Sequence, residues 1–113
     1  MNDRISKVNE LMKRELGQII LREVEMPDKA VVTLTRVAAS GNLQQAKVYI
    51  SVVPDEKARE VLKILDQNIF DIQQILNKKL RMRPVPKILW ISEKATAEAQ
   101  RIEEILDQLR KER

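Results

Sequence analysis

From Ala58 to Leu80 the apolar residues Ala58, Val61, Leu62, Leu65, Ile69, Ile72, Leu76 and Leu80 recur at three- and four-residue steps. That spacing is one face of a helix about six turns long. Prolines stop it at Pro84 and Pro86. Arg83 and Val85, each before a proline, are pushed out of the helical region. Ile88-Leu89-Trp90-Ile91 then reads as a short, strongly apolar strand. Asn68 and Asn77 are the soft spots of the stripe, since Asn tolerates left-handed geometry and terminates helices. The run is therefore one helix, or two joined by a kink. With a strand before this helix as well as after it, the helical connection suits a right-handed parallel crossover.

The chain upstream supplies the rest of a sheet. Ala30 to Ala39 is rich in β-branched residues and reads as a strand. Ser40-Gly41-Asn42 is a turn, with Gly and Asn tolerating positive φ. Leu43 to Val53 alternates: Ala46, Val48, Ile50 and Val52 on one face, Gln45, Lys47, Tyr49 and Ser51 on the other. One sheet face is then buried and the other wetter. Pro54-Asp55 starts the crossover helix.

Before the hairpin, Ile5, Val8, Leu11, Met12, Leu16, Ile19 and Ile20 mark a first helix, capped by Asn2 or Asp3 and ended by Pro27. Gly17 lies inside it, where a small residue lets another backbone approach, at about 1 kcal/mol of helix propensity against Ala. Ile102, Ile105, Leu106 and Leu109 mark a C-terminal amphipathic helix with Thr96 as N-cap, and Arg110 to Arg113 a loose tail. The order is α-β-β-α-(α)-β-α, an α+β sandwich with helices over one face of a three-stranded mixed sheet. At 113 residues it is expected to be one domain, residues 1–113.

Charge is concentrated where the long helix ends. Lys78, Lys79, Arg81, Arg83 and Lys87 fall in one stretch with no acid between Asp71 and Glu93. Outside these five cations, sixteen basic residues face seventeen acidic ones, so the +4 excess resides here. A solvated helix end would account for Lys78 and Lys79 through the macrodipole. The length of the acid-free run points instead to an anion-binding patch.

Absences narrow the chemistry. The sequence has no Cys and no His, which excludes disulfides, thiol chemistry, imidazole acid–base work and Cys- or His-based zinc sites. No metal site, cofactor site or catalytic residue is expected. Asp55-Glu56 and Glu103-Glu104 are adjacent in sequence, so their side chains diverge on a helix. Only two glycines occur, Gly17 and Gly41, too far apart to form a phosphate-cradling loop. Tyr49, Phe70 and Trp90 are the only aromatics, which argues against a reader working mainly by base stacking. Trp90 is expected in the core, and Tyr49 beneath a helix. No apolar run approaches the roughly 20 residues of a membrane span, and the lack of Cys suits a reducing, cytoplasmic setting.

The element order matches the type II KH fold, and the chain resembles the bacterial ribosome-binding factor A family over about residues 3–109. The resemblance rests on Arg22-Glu23-Val24-Glu25-Met26-Pro27, Val32-Thr33-Leu34-Thr35-Arg36-Val37, Ser40-Gly41-Asn42-Leu43, Ala46-Lys47-Val48-Tyr49-Ile50-Ser51-Val52 and Leu80-Arg81-Met82-Arg83-Pro84-Val85-Pro86. It implies a non-enzymatic factor that binds the small ribosomal subunit and acts in maturation of the 16S rRNA precursor. In the family an Ala-x-Gly kink between two helices replaces the KH Gly-x-x-Gly loop. Those positions read Asn68-Ile69-Phe70 here, and Phe70 cannot adopt a Gly conformation cheaply. Gln73 occupies a position that is often basic in relatives.

With the resemblance, Lys78, Lys79, Arg81 and Arg83 become the leading candidates for RNA backbone contact, with Lys87 and Lys47 beside them. Lys7, Lys13 and Arg14 would extend the surface, but Glu10 and Glu15 dilute it. The competing expectation is a KH-like protein-interaction module that does not bind nucleic acid, with Phe70 as an apolar anchor if exposed. A monomer is expected, because the apolar stripes are used up by the core.

Overall fold

The structure is a computed structural model and describes residues 3–93. The expected C-terminal helix, with Thr96 and its stripe Ile102 to Leu109, lies outside the described residues, as do Asn2 and the tail. In order, the elements are α1 (Asp3–Glu23), β1 (Val31–Ala39), β2 (Gln45–Val53), a single 3₁₀ turn (Asp55–Lys57), α2 (Ala58–Gln67), α3 (Ile69–Lys79) and β3 (Lys87–Ser92). The sheet order is β1-β2-β3. β1 and β2 form an antiparallel hairpin, and β2 and β3 are parallel, as a helical crossover requires.

Periodicity explains which faces meet. α1 buries Val8, Met12, Leu16 and Ile19; α2 buries Val61 and Leu65; α3 buries Ile72 and Leu76. These pack onto Ala46, Val48, Ile50 and Val52 of β2, the inward set of the alternation, and onto Ile88 and Trp90 of β3. Each fully buried aliphatic side chain contributes roughly 1.5–3 kcal/mol of transfer free energy. The core is aliphatic apart from Trp90, as the scarcity of aromatics demands.

The structure corrects several local expectations. α1 ends at Glu23, four residues before Pro27, so the proline follows the stop rather than causing it. A Cβ on Gly17 would meet nothing within 4 Å, so no backbone approaches it. β2 begins at Gln45, and the left-handed residue of the hairpin loop is Leu43 (φ 58), not Gly41 or Asn42. The reason is a side-chain scaffold. Leu43 N–H donates to Ser40 O (2.9 Å), and Gln44 N–H donates to Ser40 Oγ (3.2 Å) and Asn42 Oδ1 (3.0 Å). This closes the loop around Leu43, whose side chain is buried in the core. Burial offsets the αL strain, about 1–3 kcal/mol for a non-Gly residue. Ser51, placed on the wetter face, is buried: a small side chain on the central strand is shaded by its neighbours.

Candidate nucleic-acid interface

The long stripe is divided at Asn68. This residue (φ −102, ψ 4) is neither α2 nor α3, and its side chain holds the break. Asn68 Nδ2 donates to Ile64 O at 2.7 Å, a second hydrogen bond on a carbonyl that its own backbone N–H also reaches at 3.1 Å. Its backbone N–H is shared between Ile64 O and Leu65 O, and its carbonyl accepts from Ile72 N–H in the first turn of α3. The helix–break–helix therefore forms at the first of the three positions Asn68, Ile69 and Phe70. Ile69 and Phe70 are ordinary helical residues, so no Gly conformation is asked of Phe70. Ile69 packs against the core, while Phe70 is 69% exposed. Asn77, the other expected soft spot, lies inside α3 and terminates nothing.

α3 ends at Lys79, and the chain turns through residues 80–86 into β3. Three apolar residues pin this turn: Leu80, Val85 and Pro86 are buried. Between the pins, Arg81 and Arg83 are exposed, as are Lys78 and Lys79 at the end of α3 and Lys87 at the start of β3. Lys47 is exposed on β2 and pairs in register with Leu89, next to the Gln45–Lys87 pair. Lys47 and Lys87 thus share the sheet face opposite the described helices, and Arg81 and Arg83 lie on the turn joining that face to the end of α3. Among the described residues, no carboxylate forms an ion pair with any of these six cations. The structure gathers the five cations of residues 78–87 around one junction, with Lys47 farther along the sheet.

Gln73 holds the junction together. The Ile88 N–H donates to Gln73 Oε1 (2.9 Å), and Gln73 Nε2 donates to Pro86 O and to Asn77 Oδ1 (both 3.1 Å). One amide thereby ties α3 to the entry of β3. Arg83 Nη1 donates to Met82 O (2.6 Å) and lies 3.4 Å from Leu80 O, which anchors one edge of its guanidinium to the turn. A cleft of about 390 Å³ opens here, lined by Gln73, Asn77, Arg83, Pro84, Val85 and Lys87.

The remaining candidates lie apart. Tyr49 is half-buried, and among the described residues it is Arg36, not a helix, that covers it, with the guanidinium carbon 3.7 Å from the ring centroid. Arg36 also pairs with Glu93 (3.1 Å), whose Oε2 accepts from Thr35 Oγ1 at 2.6 Å. Thr35 sits at a bulge in β1, where the register slips between Leu34 and Arg36. Lys7, Lys13 and Arg14 are exposed on α1, with Arg14 3.9 Å from Glu15. Lys13 and Arg14 rim a groove of about 700 Å³ between α1 and β1, whose floor includes Ile20, Val24 and Val32. Trp90 is buried as expected, with its indole N–H unpartnered among the described residues.

Sequence reasoning missed the roles of Gln73 and Asn77. The one available signal was two amide residues four apart on the last turns of a helix entering a Pro-x-Pro turn. Among the described residues, no group of His, Cys, Asp and Glu is placed to hold a metal, and no helix is long and apolar enough to cross a membrane.

Comparison with known proteins gives a consistent set of likenesses. The family model described as Ribosome-binding factor A matches residues 4–106. The ribosome-binding factor A of Bdellovibrio bacteriovorus is 34% identical over 111 residues, covering 97% of this chain and 83% of that protein. The crystal structure of ribosome-binding factor A from Thermus thermophilus superposes with a TM-score of 0.66 at 20% identity, over 78% of this chain and 93% of that one. A second set of Thermus thermophilus coordinates, a homology model fitted into a cryo-EM map of a complex with the 30S subunit, gives 0.64 at 23% identity, over 78% and 91%.

Proposed function

The chain belongs to the ribosome-binding factor A family, and on that premise we propose that it binds the small ribosomal subunit through rRNA and acts, without catalysis, in 16S rRNA maturation. The observation that carries this reading is the junction of α3 and β3: five exposed cations, unpaired among the described residues, on a turn pinned to the core by Leu80, Val85 and Pro86. Fixed cations suit a polyphosphate chain, because each phosphate they neutralise releases counterions. The fitting of a relative's coordinates into a 30S complex supports the same partner. Any effect on maturation comes from binding the immature subunit more tightly than the mature one, since a ligand shifts an equilibrium only by its differential affinity.

The test is a salt series of binding to purified small subunits and to naked 16S precursor. If four or five cations meet phosphates, log K falls with log salt at a slope of roughly −3 to −4. Changing Lys78, Lys79, Arg81 and Arg83 together to Ala flattens that slope by about 3. A slope and affinity unchanged by the quadruple substitution refute the reading.

One observation favours a second reading, a surface for protein rather than RNA. Phe70 is 69% exposed at the start of α3, where it has the form of an apolar anchor. On that reading Phe70→Ser weakens binding to the intact subunit, leaves naked rRNA binding unchanged and does not alter the salt slope.

A further inference from the structure

The cleft beside α3 has a polarity that the hydrogen bonds determine. The Ile88 backbone N–H is only a donor, so the Gln73 atom facing it is the acceptor Oε1. Pro86 O is only an acceptor, so the other end of the same amide is Nε2. That nitrogen also faces Asn77, so the Asn77 atom it meets must be Oδ1. Asn77 Nδ2 is left with two N–H groups and, among the described residues, no partner. Arg83 is tethered by Nη1, which leaves its Nη2 and Nε donors. Lys87 adds an ammonium group and no acceptor. The cleft therefore offers donors from three side chains, beside the apolar surfaces of Pro84 and Val85.

Those two properties select the ligand. Donors alone suit a phosphate, but a phosphate makes no use of apolar walls and fills little of about 390 Å³. A flat base uses both. Adenine and cytosine each present a donor amine next to their acceptors, which would oppose donors here, and uracil presents on that edge a single acceptor, O4, for donors from three side chains. Guanine presents two adjacent acceptors, O6 and N7, the edge that cationic side chains read best. We propose that this cleft is a guanine-reading subsite for single-stranded RNA, with Asn77, Arg83 and Lys87 donating to the O6/N7 edge and Pro84 and Val85 flanking the ring. The subsite rests on the rRNA-binding reading and refines it: the cations hold the backbone, and the amide-oriented cleft selects an unstacked base.

The experiment uses the full chain and short oligouridylates in which one central residue is U, A, C or G, followed by fluorescence anisotropy across a salt series. The G oligomer is expected to bind about tenfold tighter than the A oligomer, the scale of one well-formed base contact. Asn77→Asp and Asn77→Leu both bring that ratio close to one. Asn77→Leu leaves the salt slope unchanged, which separates base reading from backbone attraction. Equal, steeply salt-dependent binding of all four oligomers overturns the subsite and leaves the basic-surface reading intact. Salt-insensitive binding of every oligomer overturns both. If free GMP competes as strongly as the G oligomer, the cleft is a mononucleotide site and its assignment to RNA is wrong.

Discussion

Replacing Gln73 with Ala is expected to destabilise the fold more than its half-buried position suggests. The side chain makes three hydrogen bonds, two of them to backbone groups of residues 86 and 88, across the junction of α3 and β3. Pro86 and Ile88 are both buried, so truncation leaves a carbonyl and an N–H with poor access to water. An orphaned buried group costs about 1–3 kcal/mol, so the loss should be about 2–5 kcal/mol. Asn77→Ala removes only one bond at a partly wet site and should cost about 0.5–1.5 kcal/mol. Gln73→Glu is the informative control. Its carboxylate still accepts from Ile88 N–H, and from Asn77 Nδ2 once that amide turns over, but it sets an acceptor against the buried Pro86 O with no proton to donate, so most of the loss should remain. Urea unfolding followed by far-UV circular dichroism gives the free energies. Trp90 fluorescence, two residues beyond Ile88, reports the junction independently. If Gln73→Ala costs under about 0.5 kcal/mol at unchanged m-value, water replaces the amide and the junction is not held as argued.

Other substitutions test other parts of the fold by the same unfolding measurement. Gly17→Ala should stabilise by about 0.5–1 kcal/mol, since the position is helical, exposed and open around the new methyl. Leu65→Ala, which empties a fully buried site, should cost about 2–5 kcal/mol, while Phe70→Ser should stay within about 0.5 kcal/mol of the parent. Leu43→Gly relieves a positive φ yet deletes a buried side chain, and should still be destabilising, by about 1–3 kcal/mol.

The helices and the hairpin were legible because their evidence is periodic. Val8, Met12, Leu16 and Ile19 repeat on a helical face, and Ala46, Val48, Ile50 and Val52 on a strand face, whatever lies elsewhere in the chain. What escaped was set at long range or by competition. Gln73 reaches 13 and 15 residues along the chain to Pro86 and Ile88. Arg36 reaches 57 to Glu93, and folds its guanidinium over Tyr49. No local pattern encodes such pairings. In the hairpin loop, sequence offered Gly41 and Asn42 as the residues most tolerant of positive φ, yet Leu43 takes it. Propensity ranks residues one at a time, whereas the loop is decided by the Ser40 and Asn42 side chains and by the burial of Leu43 together. The cations were legible as a run and Leu80 as the end of the apolar stripe, but not the buried Val85 and Pro86 that fix the turn together with it.

That division bears on how the junction would bind. A run of cations on a loose segment must give up rotamer and backbone freedom on meeting RNA, about 1–2 kcal/mol for each backbone residue ordered. Here much of that ordering is already done on folding: three apolar residues are buried, Gln73 clamps both ends of the turn, and Arg83 is tethered to Met82 O. A cation in place of Gln73 would add charge but could not supply the acceptor that Ile88 N–H uses. The chain therefore exchanges one possible phosphate contact for a stiffer presentation of the other cations. It follows that Gln73→Lys, despite raising the positive charge, should weaken RNA binding. An added phosphate contact would steepen the salt slope by roughly 0.7–0.9, so a variant that binds more tightly with that steeper slope would show that charge count, not rigidity, governs this surface.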